Sequence, residues 1–106
     1  MEDFMKALEY FEKSIEIMPH FKTFERMYYC YKQLGKHDIA RRYIEKAYLM
    51  NESNDKVAVE FAIELQEEGK IEFCLEVVNK VLKRNPSYGP AKRIAEKNIK
   101  IGSFQP

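Results

Sequence analysis

The chain has 106 residues and a mass of 12.6 kDa, which suffices for one small domain with one core. Hydrophobic residues make up 45% and charged residues 33%, a balance that is typical of a globular protein and excludes a disordered one. The net charge of +1 indicates no polyanionic partner for the molecule as a whole. No uncharged run approaches the roughly 20 residues of a membrane span, and residues 1–3 do not open a signal peptide, so a cytoplasmic location is expected.

Six helices are predicted from apolar residues that recur every three or four positions. Their predicted bounds are 3–18, 22–34, 37–50, 54–68, 71–84 and 89–101. Helix-breaking residues separate them, namely Pro19, Gly35, Asn51, Gly69 and Pro86. No segment alternates with period two for long enough to predict a strand. Because connections of two to four residues force neighbouring helices to run antiparallel, the pattern predicts helical hairpins.

One eight-residue block occurs three times, in the first, third and fifth predicted helices. Its copies begin at Ala7, Ala40 and Cys74, which are 33 and then 34 residues apart. Each copy continues with a large apolar residue four positions on and a small or medium one three positions further. These pairs are Phe11 and Ser14, Ile44 and Ala47, and Val78 and Val81. The spacing places all three positions of a copy on one helix face.

A second block repeats in the second and fourth predicted helices, with a period of 34. It comprises Phe24, Met27, Tyr28 and Tyr31, then Ala58, Phe61, Ala62 and Leu65. This i, i+3, i+4, i+7 stripe is typical of an amphipathic helix. The dipeptide Gly-Lys follows each stripe, at 35–36 and 69–70. A glycine at that point predicts a left-handed helix terminus.

Over residues 4–101 the chain resembles the tetratricopeptide repeat family. The resemblance rests on the two blocks, on the turn glycine, and on Pro19 or Pro86 at the close of a repeat. It implies an all-α fold, a right-handed superhelical stack of about six antiparallel hairpin helices in a single domain. Within residues 1–106 the parts would be a half-repeat over 3–20, repeats over 21–54 and 55–88, and a capping helix over 89–101.

Some positions depart from the family pattern. Glu52 stands where a closing proline is usual, and Ala58 and Lys92 stand where a large residue is usual. Lys92 would not pack against a following helix, so the last helix is suited to end the stack. The first helix corresponds to the second helix of a repeat. The chain therefore opens inside a repeat, and Leu8 or Ile15 is expected to remain partly open.

The resemblance implies a non-enzymatic interaction module that binds a protein or peptide on a curved helical surface. In the family, the first helix of each pair lines the concave side. The residues expected there are Lys22, Glu25, Arg26, Tyr29, Lys32, Gln33, Lys56, Val59, Glu60, Ile63, Gln66, Glu67, Arg93 and Lys97. Tyr29, Val59 and Ile63 lie off the core stripe, so they would either meet a partner or pack on other helices.

One known binding mode of the family is disfavoured. Some members hold acidic carboxy-terminal peptides through a clamp of Lys, Asn and Arg. Glu25, Tyr29 and Glu60 occupy positions where that clamp has Lys or Asn. A different mode of recognition is therefore expected.

Catalysis, metal binding and cofactor binding have no supporting motif, so neither an enzyme activity nor a cofactor is predicted. His20 and His37 fall at turns between helices, without a nucleophile nearby in sequence. Cys30 and Cys74 lie on apolar-leaning helix faces, where a cysteine acts as a small hydrophobe. Both thiols are expected to stay reduced, and that of Cys74 to face a neighbouring helix.

Two alternatives come from other classes of function. The N-terminal half-repeat favours self-association through residues 3–18. Basic residues near the C-terminus favour an acidic partner or a nucleic-acid backbone, although a solvated cap explains them too. They are Lys80, Lys83, Arg84, Lys92, Arg93, Lys97 and Lys100. Residues 1–20 carry 2 positive and 5 negative charges, net −3, whereas residues 89–106 carry 4 and 1, net +3.

Overall fold

A computed structural model describes the backbone of residues 2–103 and the side chains of residues 3–98. The helices are α1 (Glu2–Ile17), α2 (Phe21–Gln33), α3 (His37–Met50), α4 (Asp55–Glu67), α5 (Ile71–Arg84) and α6 (Gly89–Ser103). Within the described residues there is no strand, so the all-α prediction is confirmed. Predicted and observed bounds of every helix agree to within two residues. No helix in this described part has both the length and the apolar character to cross a bilayer.

The chain divides into two compact units, residues 1–52 and residues 53–106. The division falls two residues before the boundary predicted between the two full repeats. The first unit contains α1, α2 and α3, and the second contains α4, α5 and α6. The single-domain organisation inferred from the resemblance stays a prediction.

In the first unit, α2 packs against both α1 and α3. Its apolar stripe is well buried, with Met27 at 0% and Tyr28 at 3% exposure. On α3 the repeated block lies in the core as predicted, since Ala40, Ile44 and Ala47 are all exposed by 1% or less. Small residues at such contacts let helix axes approach closely, while large ones fill the opposing gaps.

The hairpin turn between α2 and α3 is formed as the glycine predicts. Gly35 has φ of +76°, and the Lys36 N–H donates to the Tyr31 carbonyl over 2.9 Å. The Gly35 N–H donates to the Lys32 carbonyl over 3.0 Å. This pair of bonds is a Schellman motif, which satisfies carbonyl groups that the end of a helix leaves open. Gly69, at φ of +81°, ends α4 in the same way.

In the second unit, α5 packs against α4 and α6, and α6 also contacts α4. The third copy of the repeated block, Cys74, Val78 and Val81, is fully buried. Two polar contacts join distant parts of the unit. Arg84 meets Asp55 at 2.9 Å, and the Asn98 amide donates to Gln66 Oε1 over 2.7 Å.

The first copy of the block differs from the other two in its burial. On α1, Ala7, Phe11 and Ser14 are only half-buried. Leu8 is 5% exposed and therefore belongs to the core. Of the two residues expected to remain partly open, Ile15 is the one that does.

Candidate partner-binding surfaces

The first unit exposes a row of side chains along α2. Lys22, Arg26 and Tyr29 are spaced by four and three residues, so they share one side of the helix. All are exposed, Tyr29 by 38%. They lie on the side of α2 opposite its buried stripe. We call these residues the α2 row.

Tyr29, at one end of this row, lies beside a buried ring. The ring of Tyr28, which is 3% exposed, lies 5.3 Å from the ring of Tyr29. The Lys32 ammonium donates to the Tyr28 hydroxyl over 3.1 Å and lies 5.3 Å from the centre of the same ring. The α2 row therefore combines an exposed aromatic ring with cationic groups, and its chemistry suits a partner that offers apolar and acidic side chains.

Two of the residues predicted to face a partner on α2 are less accessible. Glu25 is 9% exposed, and Lys32 is half-buried. Because α2 packs against both α1 and α3, more of its circumference is covered than a single apolar stripe would require. A partner would reach Lys22, Arg26 and Tyr29 without rearrangement, but not Glu25.

In the second unit, α4 is covered on nearly every side. Val59, predicted to face a partner, is 5% exposed and so is not available to one in this conformation. Glu60 and Ile63 are half-buried, and Lys56 is exposed. A helix that is apolar around most of its circumference lies inside the protein. The buried residues of α4 are Val57, Ala58, Val59, Phe61, Ala62, Glu64 and Leu65.

On α6, Arg93 and Lys97 are exposed, and Lys92 is exposed beside them. The basic cluster also includes Arg84, but that side chain is occupied. Its Nη2 and Nε atoms donate to Asp55 Oδ1 over 2.9 and 3.3 Å. A phosphate group at Arg84 would therefore compete with an internal carboxylate.

His20 caps a helix, and both cysteines are buried in the core. His20 caps α2, because its Nδ1 accepts a hydrogen bond from the Lys22 N–H over 3.1 Å. Cys30 and Cys74 are free thiols, 7% and 0% exposed. Burial raises the pKa of both thiols, which keeps them protonated and poorly nucleophilic. The part of the chain that the structure describes holds no group of three or more metal-ligating side chains.

A comparison with protein families identifies the segment that contains the end of α2, the Gly35 turn and α3. Residues 29–54 match the family model of the tetratricopeptide repeat. The chain carries a tetratricopeptide repeat. Tetratricopeptide repeats stack into extended surfaces, and this repeat indicates a protein–protein interaction module. No curated protein gave a significant match to the chain.

Tyr10 is absent from the predicted binding residues, although the structure exposes it by 69%. It precedes Tyr43 by 33 residues, the offset that separates Ala7 from Ala40. Tyr43 of the tetratricopeptide repeat is half-buried between two rings of α2. The alignment of the two tyrosines is the signal that would have found Tyr10. Its exposure, however, depends on which helices pack beside α1.

Proposed function

We propose that the chain is a non-enzymatic module that binds a protein or peptide partner through the exposed side of α2. The α2 row supports this proposal, because Tyr29 and Arg26 are residue types that often dominate the energetics of interfaces. Lys56, Arg93 and Lys97, which are also predicted to face a partner, are exposed in the second unit and are not part of the α2 row.

The test is affinity capture from a lysate, followed by binding measurements with the purified candidate partner. Tyr29→Ala combined with Arg26→Ala is expected to weaken binding at least tenfold, since each truncation removes a large exposed contact group. Glu45→Ala is the matched control, because Glu45 is exposed on α3, away from the row. Equal affinity of the double variant and the wild type would remove the α2 row from the interface.

Self-association through residues 3–18 is a second candidate. It is favoured by three exposed apolar side chains, Met5 at 53%, Tyr10 at 69% and Ile17 at 86%. Light scattering over a tenfold concentration series tests it, with Leu8→Glu and Ile15→Glu combined as the disrupting variant. Circular dichroism must show that this variant folds, because Leu8 is buried. A wild type that stays monomeric at high concentration removes this candidate.

Nucleic-acid contact by the C-terminal basic cluster has the weakest support. Arg84 is already paired with Asp55, and stacking aromatic side chains are scarce among these cations. A salt-dependent mobility shift with an oligonucleotide would support it, and no shift at low salt would remove it.

A further inference from the structure

The packing of α3 against α2 shows which side chains hold two helices of this chain together. Tyr43 of α3 lies between two rings of α2, with ring centres 6.0 Å from Phe24 and 5.3 Å from Tyr31. Both pairs are stacked, with 27° and 8° between ring planes. The Lys46 ammonium lies 5.0 Å from the centre of the Tyr43 ring and 5.8 Å from that of Phe24. A helix with rings at positions i and i+7 is thus held by one tyrosine and one lysine of its neighbour.

The sequence of α1 repeats the face of α3 that packs against α2. Five positions of α1 correspond to five of α3 at an offset of 33 residues. The aromatic position is a tyrosine in both helices, and the cationic position is a lysine in both. The α1 residues are Ala7, Tyr10, Phe11, Lys13 and Ser14, and their counterparts are Ala40, Tyr43, Ile44, Lys46 and Ala47. The tyrosine and the lysine that hold the rings of α2 are therefore both present on α1.

On α1 this face is open. Tyr10 is 69% exposed, and Ala7, Phe11 and Ser14 are half-buried, whereas their counterparts Ala40, Ile44 and Ala47 are exposed by at most 1%. The stripe continues to Ile17 and Met18, which are 86% and 69% exposed. Spacings of three and four residues place the five helical side chains on one side of α1. Met18 follows directly after the helix and its N–H donates to the Ser14 carbonyl over 2.9 Å, so we include it and call the six residues the α1 stripe.

The other side of α1 is occupied by α2. Leu8 is 5% exposed, and the Tyr31 hydroxyl donates to Glu12 Oε1 over 3.5 Å. On an α-helix, Leu8 and Tyr10 point about 160° apart. The contact with α2 therefore leaves Tyr10, Ile17 and Met18 exposed, while Ala7, Phe11 and Ser14 are half-buried.

We propose that the α1 stripe binds an amphipathic helix of a partner protein that carries two aromatic residues seven positions apart. Its rings take the places around Tyr10 that Phe24 and Tyr31 take around Tyr43, and Lys13 lies over the nearer ring as Lys46 does. Because the stripe is on α1 and does not involve Tyr29, this site is separate from the α2 row.

A second copy of the chain does not supply that helix. The α6 positions that correspond to Phe24 and Tyr31 at an offset of 68 residues hold Lys92 and Ile99. Neither residue offers a ring to Tyr10 or to Lys13. The α2 helix of a second copy does carry the rings, but its own α3 already covers them.

The probe for the test is a fluorescent peptide with the sequence of residues 21–34, in which Cys30→Ser prevents disulfide formation. A side-chain staple between positions 26 and 33 keeps it helical, since both residues are exposed in α2 and lie off the contact face. The control peptide carries Phe24→Ser and Tyr31→Ser. Binding to the full chain is measured by fluorescence anisotropy, with the protein monomeric by light scattering.

The stapled peptide is expected to bind the wild-type chain, and Tyr10→Ser and the control peptide are each expected to weaken binding about tenfold, through the loss of two ring contacts. Glu45→Ala, a change at an exposed residue of α3, is expected to leave the affinity unchanged. Because Tyr10 is exposed, its serine variant should keep the circular dichroism of the wild type. The proposal would be overturned if the stapled peptide did not bind at millimolar concentration. It would also be overturned if Tyr10→Ser bound the peptide as tightly as wild type, because the peptide would then be replacing the chain's own α2. A wild-type dimer that buries Tyr10 would overturn it as well.

Discussion

The rings of Tyr31 and Tyr43 stack with their centres 5.3 Å apart and only 8° between their planes. This contact joins the end of α2 to the middle of α3, and Phe24 covers the other side of Tyr43 at 6.0 Å. Tyr43 therefore contributes to the hairpin through two aromatic neighbours as well as through its buried area.

Tyr43→Leu should lower the free energy of unfolding by about 1–2 kcal/mol, because it removes two aromatic contacts and keeps an apolar side chain. Tyr10→Leu is the matched control. Tyr10 occupies the corresponding position of α1 but is 69% exposed, so this change should stay within about 0.5 kcal/mol of wild type. Urea unfolding followed by circular dichroism measures both. Equal losses would mean that the stacked rings do not stabilise the hairpin.

Ala47→Arg should unfold the chain or nearly so. Ala47 is 0% exposed, and a buried unpaired charge costs several kcal/mol, comparable to the total stability of about 5–15 kcal/mol. Ala40→Arg, at 1% exposure, should act in the same way. Ser14→Arg places the same side chain at the corresponding half-buried position of α1, and it should cost far less. Thermal melts distinguish these cases, and a melting temperature of Ala47→Arg within two degrees of wild type would contradict the assigned helix face.

The Cys74 thiol should react slowly with an alkylating reagent in the folded protein. Cys74 is fully buried, and burial raises the pKa of its thiol, so both access and thiolate content are low. Labelling followed by mass spectrometry at pH 8 should show fast modification only after denaturant is added. Cys30, at 7% exposure, is the internal comparison and should react at least as fast as Cys74. Modification of folded Cys74 at the rate of a free thiol would be inconsistent with its burial.

Alkaline conditions should weaken the first unit through Tyr31. Burial raises the pKa of Tyr31, and the charges and hydrogen bonds of Tyr43 and Glu12 raise it further. A folded-state pKa above the unfolded value gives stability that is complete below the ordinary tyrosine range and is lost as pH rises through the folded pKa. Tyr31→Phe cannot ionise, so above pH 10 its free energy of unfolding should fall less steeply than that of wild type. Parallel slopes in urea titrations at pH 8 to 11 would contradict this role of Tyr31.

The helices follow from local features of the sequence, because apolar periodicity, Gly35 and Gly69 each act within one or two turns. Accessibility of the predicted binding residues does not follow in the same way. Val59 lies off the main stripe of α4 but is buried, since more than one side of that helix is covered. Conversely, Tyr10 and Tyr43 have the same side chain in the same block, but Tyr43 stacks on two rings of α2, whereas Tyr10 lies edge-on to Phe11 of its own helix at 5.7 Å and is exposed. Whether a side chain is buried depends on the helices that pack beside it, and the residue pattern within one helix does not specify those helices.

The turns at Gly35 and Gly69 require glycine because of their backbone conformation and not because space for a side chain is lacking. A Cβ atom at either glycine would meet no heavy atom within 4 Å, so there is room for a side chain at both turns. An L-residue is strained at these positive φ angles, whereas a D-residue adopts them naturally. Chemical synthesis of the chain with D-alanine at either turn would restrict the unfolded state without straining the folded one, and should therefore stabilise the hairpin. At these two positions a D-amino acid would fit the backbone, and glycine is the only achiral residue among the twenty that are genetically encoded.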